Sequence, residues 1–228
     1  MRGRATDGRW REPFDPMKAT SPLNNPGDYT EANAFQYTLT PGLHDPDGLV
    51  ALLGGPHGAG DWIDQFFETS GPAGDKYLGQ EGVLGQYAQG NEPSHHIAYL
   101  YAWTDRPWRG PLMIRRIATD FYSDRPDGIP GNDDAGQLSA WYVFATLGFY
   151  PMVPSSGDFV LGAPLVRAAR IRLAGARTLA IRADGFGEDH PWPKKVLIGT
   201  RAVNAQRLLR SDIGQGGTLR FEMAAPPH

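Results

Sequence analysis

The chain has 228 residues, enough for one large domain or two modest ones with a real core. Its formal net charge of −3 argues against nucleic acid as the main partner, its 40% hydrophobic content argues against wholesale disorder, and the lack of cysteine excludes disulfides and thiolate chemistry. No apolar run reaches the roughly 18 residues of a membrane span, and the start, MRGRATDGRWREPFDP, has no apolar signal-peptide core.

Residues 1–28 are polar, rich in Pro and Gly and without periodicity, and read as an irregular N-terminal segment. From 29 to 150 the pattern is helical. YTEANAFQYTL predicts one helix and DPDGLVALLGG a short second one. GDWIDQFFETS predicts a helix capped by Asp61, with Trp62 and Phe66, and Ile63 and Phe67, paired four residues apart. NEPSHHIAYLYAW places Pro93 in a first turn, where the missing N–H costs nothing. RPWRGPLMIRRIATDFY is amphipathic. DAGQLSAWYVFATLGFYP runs from Asp134 to a stop at Gly148 and Pro151. Beyond 151 come short β-like runs, DFVLG, AARIRLAG, TLAIRADG, KKVLIGT and TLRFEM, separated by turn residues. Alternation in RIRL and AIRA fits a sheet with one face exposed. The chain therefore reads as α+β, with helices over 29–150 and a small antiparallel β unit over 151–228. Five or six helices that do not close a bundle, and polar loops dense in aromatics, suggest the C-terminal part of a larger enzyme, or a chain whose site another chain completes.

Three loops gather acids, amides and rings just before helices: residues 28–37, 85–96 and 127–137. Asp134 followed by Gln137 is a capping-box pattern, worth about 1 kcal/mol as a cap. Capping and catalysis are compatible, because amides at a helix start hold a carboxylate ionised and oriented, as a general base requires. Glu31 lies among Tyr29, Phe35 and Tyr37. It is either a solvated helix residue or, in a cleft lined by those rings, a proton donor with a raised pKa. His95 and His96 do not suit zinc, since neighbours on a helix point about 100° apart. Hard oxygens are plentiful instead, in Asn91, Glu92, Asn132, Asp133, Asp134 and Gln36, and that palette favours calcium. There is no nucleophile elbow, P-loop or dinucleotide fingerprint. Carboxylates on separate loops beside many Trp and Tyr point to sugar chemistry.

YTEANAFQY, GQYAQGNEPSHHIAYLY, PDGIPGNDDAGQLSAWYVFATLGFYP and FVLGAPL together resemble glycoside hydrolase family 92, calcium-dependent exo-acting α-mannosidases. The resemblance covers roughly residues 28–175. It implies an N-terminal β-sandwich and a C-terminal (α/α)6 barrel with the site between them, so this chain corresponds to the last part of the barrel with trailing strands. By the same resemblance the enzyme inverts, with Glu31 as general acid and Asp134 as general base; Asp133 is the reserve base. Asn132 stands where some members carry a further acid. Calcium is implied, with Asn91 and Glu92 as ligands and Gln36 and Asp133 as weaker ones. Gln80 and Glu81 stand where α-1,2-cleaving members carry a His-Glu pair, so Gln80, Glu81 and His95 are the substrate-binding candidates. The implied partners are a mannose-containing glycan and the upstream sandwich, with no membrane or nucleic acid. The implied location is secreted or periplasmic. Two alternatives stay open: a carbohydrate-binding module that does not turn over, and another inverting (α/α)6 glycosidase.

Overall fold

The computed structural model describes residues 4–10, 12, 38–69, 82–203 and 207–227. The predicted helix at 29–39 therefore falls almost wholly outside the described residues, as do Glu31, Gln36, Gln80 and Glu81. Residues 4–10 form an exposed turn closed by a bridge between Arg4 and Trp10.

Helix α1 (Pro46–Leu52) starts where the sequence predicts. Asp45 caps it, its Oδ1 accepting the Gly48 amide at 2.9 Å. Helix α2 (Gly55–Glu68) starts six residues before the expected cap. Gly54, at φ 93°, turns the chain, and Pro56 fits the first turn, so Asp61 lies exposed in mid-helix. Ile63, Phe66 and Phe67 face inward as the spacing predicts. Two two-residue strands follow, β1 (Val83–Leu84) and β2 (Tyr87–Ala88).

The predicted helix through Pro93 is instead two 3-10 segments, Glu92–Ser94 and Ile97–Trp103. The cause is local. The His95 carbonyl accepts the Trp141 indole N–H at 3.0 Å, so the Tyr99 amide turns to the His96 carbonyl, three residues back, at 3.0 Å. Residues 97–101 are buried all round, which no amphipathic helix would be. Helix α3 (Arg109–Phe121) buries Ile114, Ile117 and Ala118 as its amphipathic pattern predicts.

Helix α4 (Gln137–Leu147) ends at Gly148, whose φ of 87° forms a left-handed cap. Strand β3 (Phe149–Tyr150) follows and pairs with β4 (Phe159–Leu161). Next come β5 (Ala168–Arg172), β6 (Thr178–Asp184), β7 (Trp192–Ile198), β8 (Arg201–Ala202) and β9 (Arg207–Leu208). A one-turn helix, α5 (Arg210–Gly214), leads to β10 (Gly217–Ala224). β9 joins β4, and the larger sheet runs β5-β6-β10-β7-β8. The β unit is not purely antiparallel, because β10 lies parallel to β6 from Gly217 opposite Leu179 onward. A parallel pair needs a long connection. Here β7, β8, β9 and α5 supply it, bringing the chain back to the end where β6 began.

Two cores result. One gathers Phe66, Tyr87, Tyr99, Ile114 and Trp141 from the helical part, and Met152 and Val160 belong to it although they lie past Pro151. The other packs Leu179, Ile181, Leu219 and Phe221 of the sheet against Phe149. Phe144 of α4 touches both, so α4 joins the two halves.

Asp64 is the ionic hub of the helical part. Its carboxylate receives Arg106 at 2.7 Å, Arg109 at 2.9 Å and the Tyr101 hydroxyl at 2.5 Å. A carboxylate this enclosed is stable only with such a set of donors. It ties α2 to α3 and to the end of the second 3-10 segment.

Candidate functional site

The polar loops at 82–96 and 127–137 meet at the start of α4. Gly82, at φ 63°, marks the contact: a side-chain carbon there would lie 2.9 Å from Pro130 Cβ and 3.2 Å from Gln89 Cβ. A directed run of hydrogen bonds crosses the junction. The Tyr87 hydroxyl donates to Gln89 Oε1, the Gln89 amide donates to the Tyr122 hydroxyl at 2.7 Å, and that hydroxyl donates to the Leu138 carbonyl at 3.1 Å. Tyr122 also stacks on Trp141 and Tyr142. Burial raises the Tyr122 phenol well above its ordinary pKa, so it remains a donor.

A second line runs through His95. Its Nδ1 lies 3.2 Å from the Gln137 amide nitrogen and its Nε2 lies 2.9 Å from the Gln89 carbonyl. Gln137 donates to Nδ1, which leaves the ring proton on Nε2 to donate to Gln89. Burial holds His95 neutral, its pKa lowered to about 4. His96 is enclosed as well, its Nε2 2.8 Å from the Leu39 carbonyl and its pKa also lowered to about 4 by burial. At 1% exposure, with both nitrogens engaged, His95 fixes one loop against the other and presents no ring face to a sugar. The sequence showed His95 as a polar residue in a loop; only the fold shows which groups enclose it.

Gln137 serves His95, and so the capping box expected between Asp134 and Gln137 does not form. Asp133 caps the helix instead. Its Oδ1 accepts the Ser139 amide at 2.9 Å and its Oδ2 accepts the Ser139 hydroxyl at 2.9 Å. The Asp133 carbonyl accepts the amides of Gly136 and Gln137 at 3.0 and 2.8 Å. Between these anchors the chain makes a left-handed loop, with φ 36° at Asp134, 59° at Ala135 and 90° at Gly136. Left-handed backbone costs an ordinary residue roughly 1–2 kcal/mol, and such strain collects at functional sites. The loop lifts Asp134 off the helix into solvent, while Asp133 is half-buried. The two neighbouring acids thus differ: Asp133 spends both oxygens on the scaffold, and the Asp134 carboxylate is projected outward.

Asn91 is buried and Glu92 half-buried, with its Oε1 enclosed. They are hard oxygen donors at the start of a turn tied to α4 through His95, and this chemistry suits calcium. Among the described residues no three His, Asp or Glu side chains converge to hold an ion. Asn91 and Glu92 by themselves do not make a coordination shell. Also among the described residues, no helix is long and apolar enough to cross a membrane.

Comparison with known proteins matches the chain to a family. The sequence profile of the glycosyl hydrolase family 92 catalytic domain matches residues 1–225. A family GH92 α-mannosidase from Bacteroides thetaiotaomicron, solved in complex with mannoimidazole, is 35% identical with a TM-score of 0.91, covering 100% of this chain and 30% of that one. A family GH92 inverting mannosidase from the same organism is 29% identical with a TM-score of 0.82, covering 100% of this chain and 31% of that one. An uncharacterized secreted glycosidase from Arthroderma benhamiae is 27% identical over 186 residues, which are 79% of this chain and 22% of that protein. The chain thus spans about a third or less of the length of these relatives.

Proposed function

The chain belongs to glycoside hydrolase family 92, and on that premise we propose that it supplies the acid and the base of an inverting hydrolase of terminal α-mannosidic bonds. Glu31 protonates the departing glycosidic oxygen. Asp134 takes the proton of a water that attacks the anomeric carbon from the opposite face, so the configuration inverts. This requires carboxyl groups roughly 6.5–9.5 Å apart with a water between them. One observation supports Asp134 over Asp133 as the base: Asp133 is committed to Ser139, and Asp134 is exposed beside the hydrogen-bonded junction.

The active form in this reading joins the chain to an upstream β-sandwich, with residues 29–150 as the closing part of an (α/α)6 barrel. The limited coverage of the solved mannosidases supports this. Gln80 and Glu81 bind the sugar beyond the cleaved bond, in keeping with α-1,2 linkages, and His95 holds the loop between them and α4. Asn91, Glu92 and Gln36 are the proposed protein ligands of calcium, which when bound would fix sugar hydroxyls and water by charge. The likeness to a secreted glycosidase supports export. The short coverage also favours a second reading, in which these 228 residues alone bind mannosides without hydrolysing them.

The test is hydrolysis of an aryl α-mannoside by the chain expressed in one polypeptide with its upstream sandwich, with and without a calcium chelator. Activity that the chelator abolishes and added calcium restores supports the proposal. Full activity in the chelator, or in the Glu31→Gln variant, would overturn it.

A further inference from the structure

The net charge of −3 conceals an uneven distribution. Residues 151–228 contain eleven Lys and Arg against six Asp and Glu, whereas residues 1–150 contain eleven against nineteen. Part of the basic excess is concentrated on one sheet face. In the pairing of β5 with β6, Ala168 lies opposite Arg182, Arg170 opposite Ala180 and Arg172 opposite Thr178. Opposed residues share a face. This is the outward face, because Leu179, Ile181 and Ala183 point from β6 into the core. β10 then places Arg220 directly beside Arg182.

Compensation on this face is incomplete. Arg220 pairs with Asp184, and Glu222 lies opposite Lys195. Arg170, Arg172 and Arg182 are exposed, and their side chains make no ion pair or hydrogen bond among the described residues. Like charges set side by side on a sheet repel. Ala168 and Ala180 leave the floor low, and an open groove of about 380 Å³ runs there, lined by Arg167, Arg170 and Arg182 and by one acid, Asp184, which pairs with Arg220. It lies along β5, the edge of the sheet. The guanidinium fork matches the oxygens of phosphate and sulfate esters in a paired geometry that a lysine cannot reproduce.

We propose that this groove binds the phosphate or sulfate ester groups of an anionic glycan. It is separate from the loops at 82–96 and 127–137. The choice of a glycan as occupant rests on family membership and not on any catalytic assignment. The site would retain charged polysaccharide while neutral mannoside ends are presented elsewhere on the molecule.

The experiment measures binding of the 228-residue chain to phosphorylated mannan, sulfated dextran, neutral mannan and inorganic phosphate, by titration calorimetry at two salt concentrations. Saturable binding to both charged polymers, weaker at higher salt, is expected. The double variant Arg170→Ser with Arg182→Ser should weaken it by about tenfold or more, as the loss of two charge-assisted forks implies. Its melting by circular dichroism should stay unchanged. The double lysine variant, Arg170→Lys with Arg182→Lys, keeps the charge and should bind between the two. Equal affinity for neutral and phosphorylated mannan would overturn the proposal, as would unchanged affinity in the serine variant. Inorganic phosphate binding as tightly as the polymers would also overturn it, by showing an anion site with no preference for glycans. No binding of any anion would mean that the arginines only protect the sheet edge. None of these results bears on Glu31 or Asp134, so this proposal and the proposed hydrolysis fail independently.

Discussion

Asp134 sits at φ 36° and Ala135 at φ 59°, and neither has the freedom of a glycine. Asp133 helps hold them there through Ser139 at 2.9 Å. Replacing Ala135 by Gly should relieve strain and raise the unfolding free energy by about 1 kcal/mol, read from the urea midpoint; a fall would show that the loop is not strained. The two acids should separate in activity. Asp134→Asn should lower kcat by at least about a hundredfold, as loss of a general base does. Ser139→Ala should lower kcat to a smaller extent and leave KM near its original value. Azide provides the decisive contrast, because it needs no base: it should restore turnover to Asp134→Gly, forming the inverted mannosyl azide as the protonated alcohol departs, and should not rescue Asp133→Asn. Rescue at 133 in place of 134 would reverse the assignment. The motif GNDDAGQ made both acids visible in the sequence. Their division of labour was not visible, because Asp and Ala do not announce a left-handed turn as Asn-Gly does, and the capping-box spacing suggested Gln137 as a partner that the fold gives to His95.

At the scale of elements, helices with a one-sided apolar pattern were legible, as α1 and α3 show. The start of α2 was misplaced because Gly54 and Pro56 read equally well as a loop. The 3-10 segments were hidden because their cause, the Trp141 N–H taking the His95 carbonyl, comes from 46 residues away. That junction makes stability depend on pH. His95 and His96 have folded pKa values lowered to about 4, against an ordinary value of 6.5. Between these values the unfolded chain binds more protons than the folded one, so their contribution is whole above 6.5 and is lost as pH falls toward 4. Each histidine should contribute a slope of up to about 1.4 kcal/mol per pH unit. Urea unfolding at pH 7 and pH 5 should show the drop, and His96→Gln should flatten it; an equal slope in that variant would remove the cause. In the ionic hub, Asp64→Ala leaves two guanidinium groups and the Tyr101 hydroxyl without their acceptor and should cost about 3 kcal/mol, read as a lower urea midpoint.

At the scale of the whole molecule, the order helices first and sheet second was legible from the change in periodicity near Pro151. The mixed direction of the larger sheet was not, since β6 and β10 become neighbours only through a connection of more than thirty residues. Met152 and Val160 cross the apparent boundary into the helical core because β3 packs on α4 and β4 packs on the 3-10 segment Ile97–Trp103. The family was legible because long motifs carry it in order. What those motifs do together rests, in the proposed function, on Glu31, which lies outside the described residues, and on an upstream sandwich, for which relatives of about three times this length leave room. The central claim is therefore the pairing of Glu31 with Asp134 across a water in the joined protein. Proton NMR of an aryl α-mannoside during its first minutes of hydrolysis tests it most directly. The account predicts that β-mannose appears first and then mutarotates, and that Asp134→Asn releases none. First release of α-mannose, or undiminished release by Asp134→Asn, would contradict it.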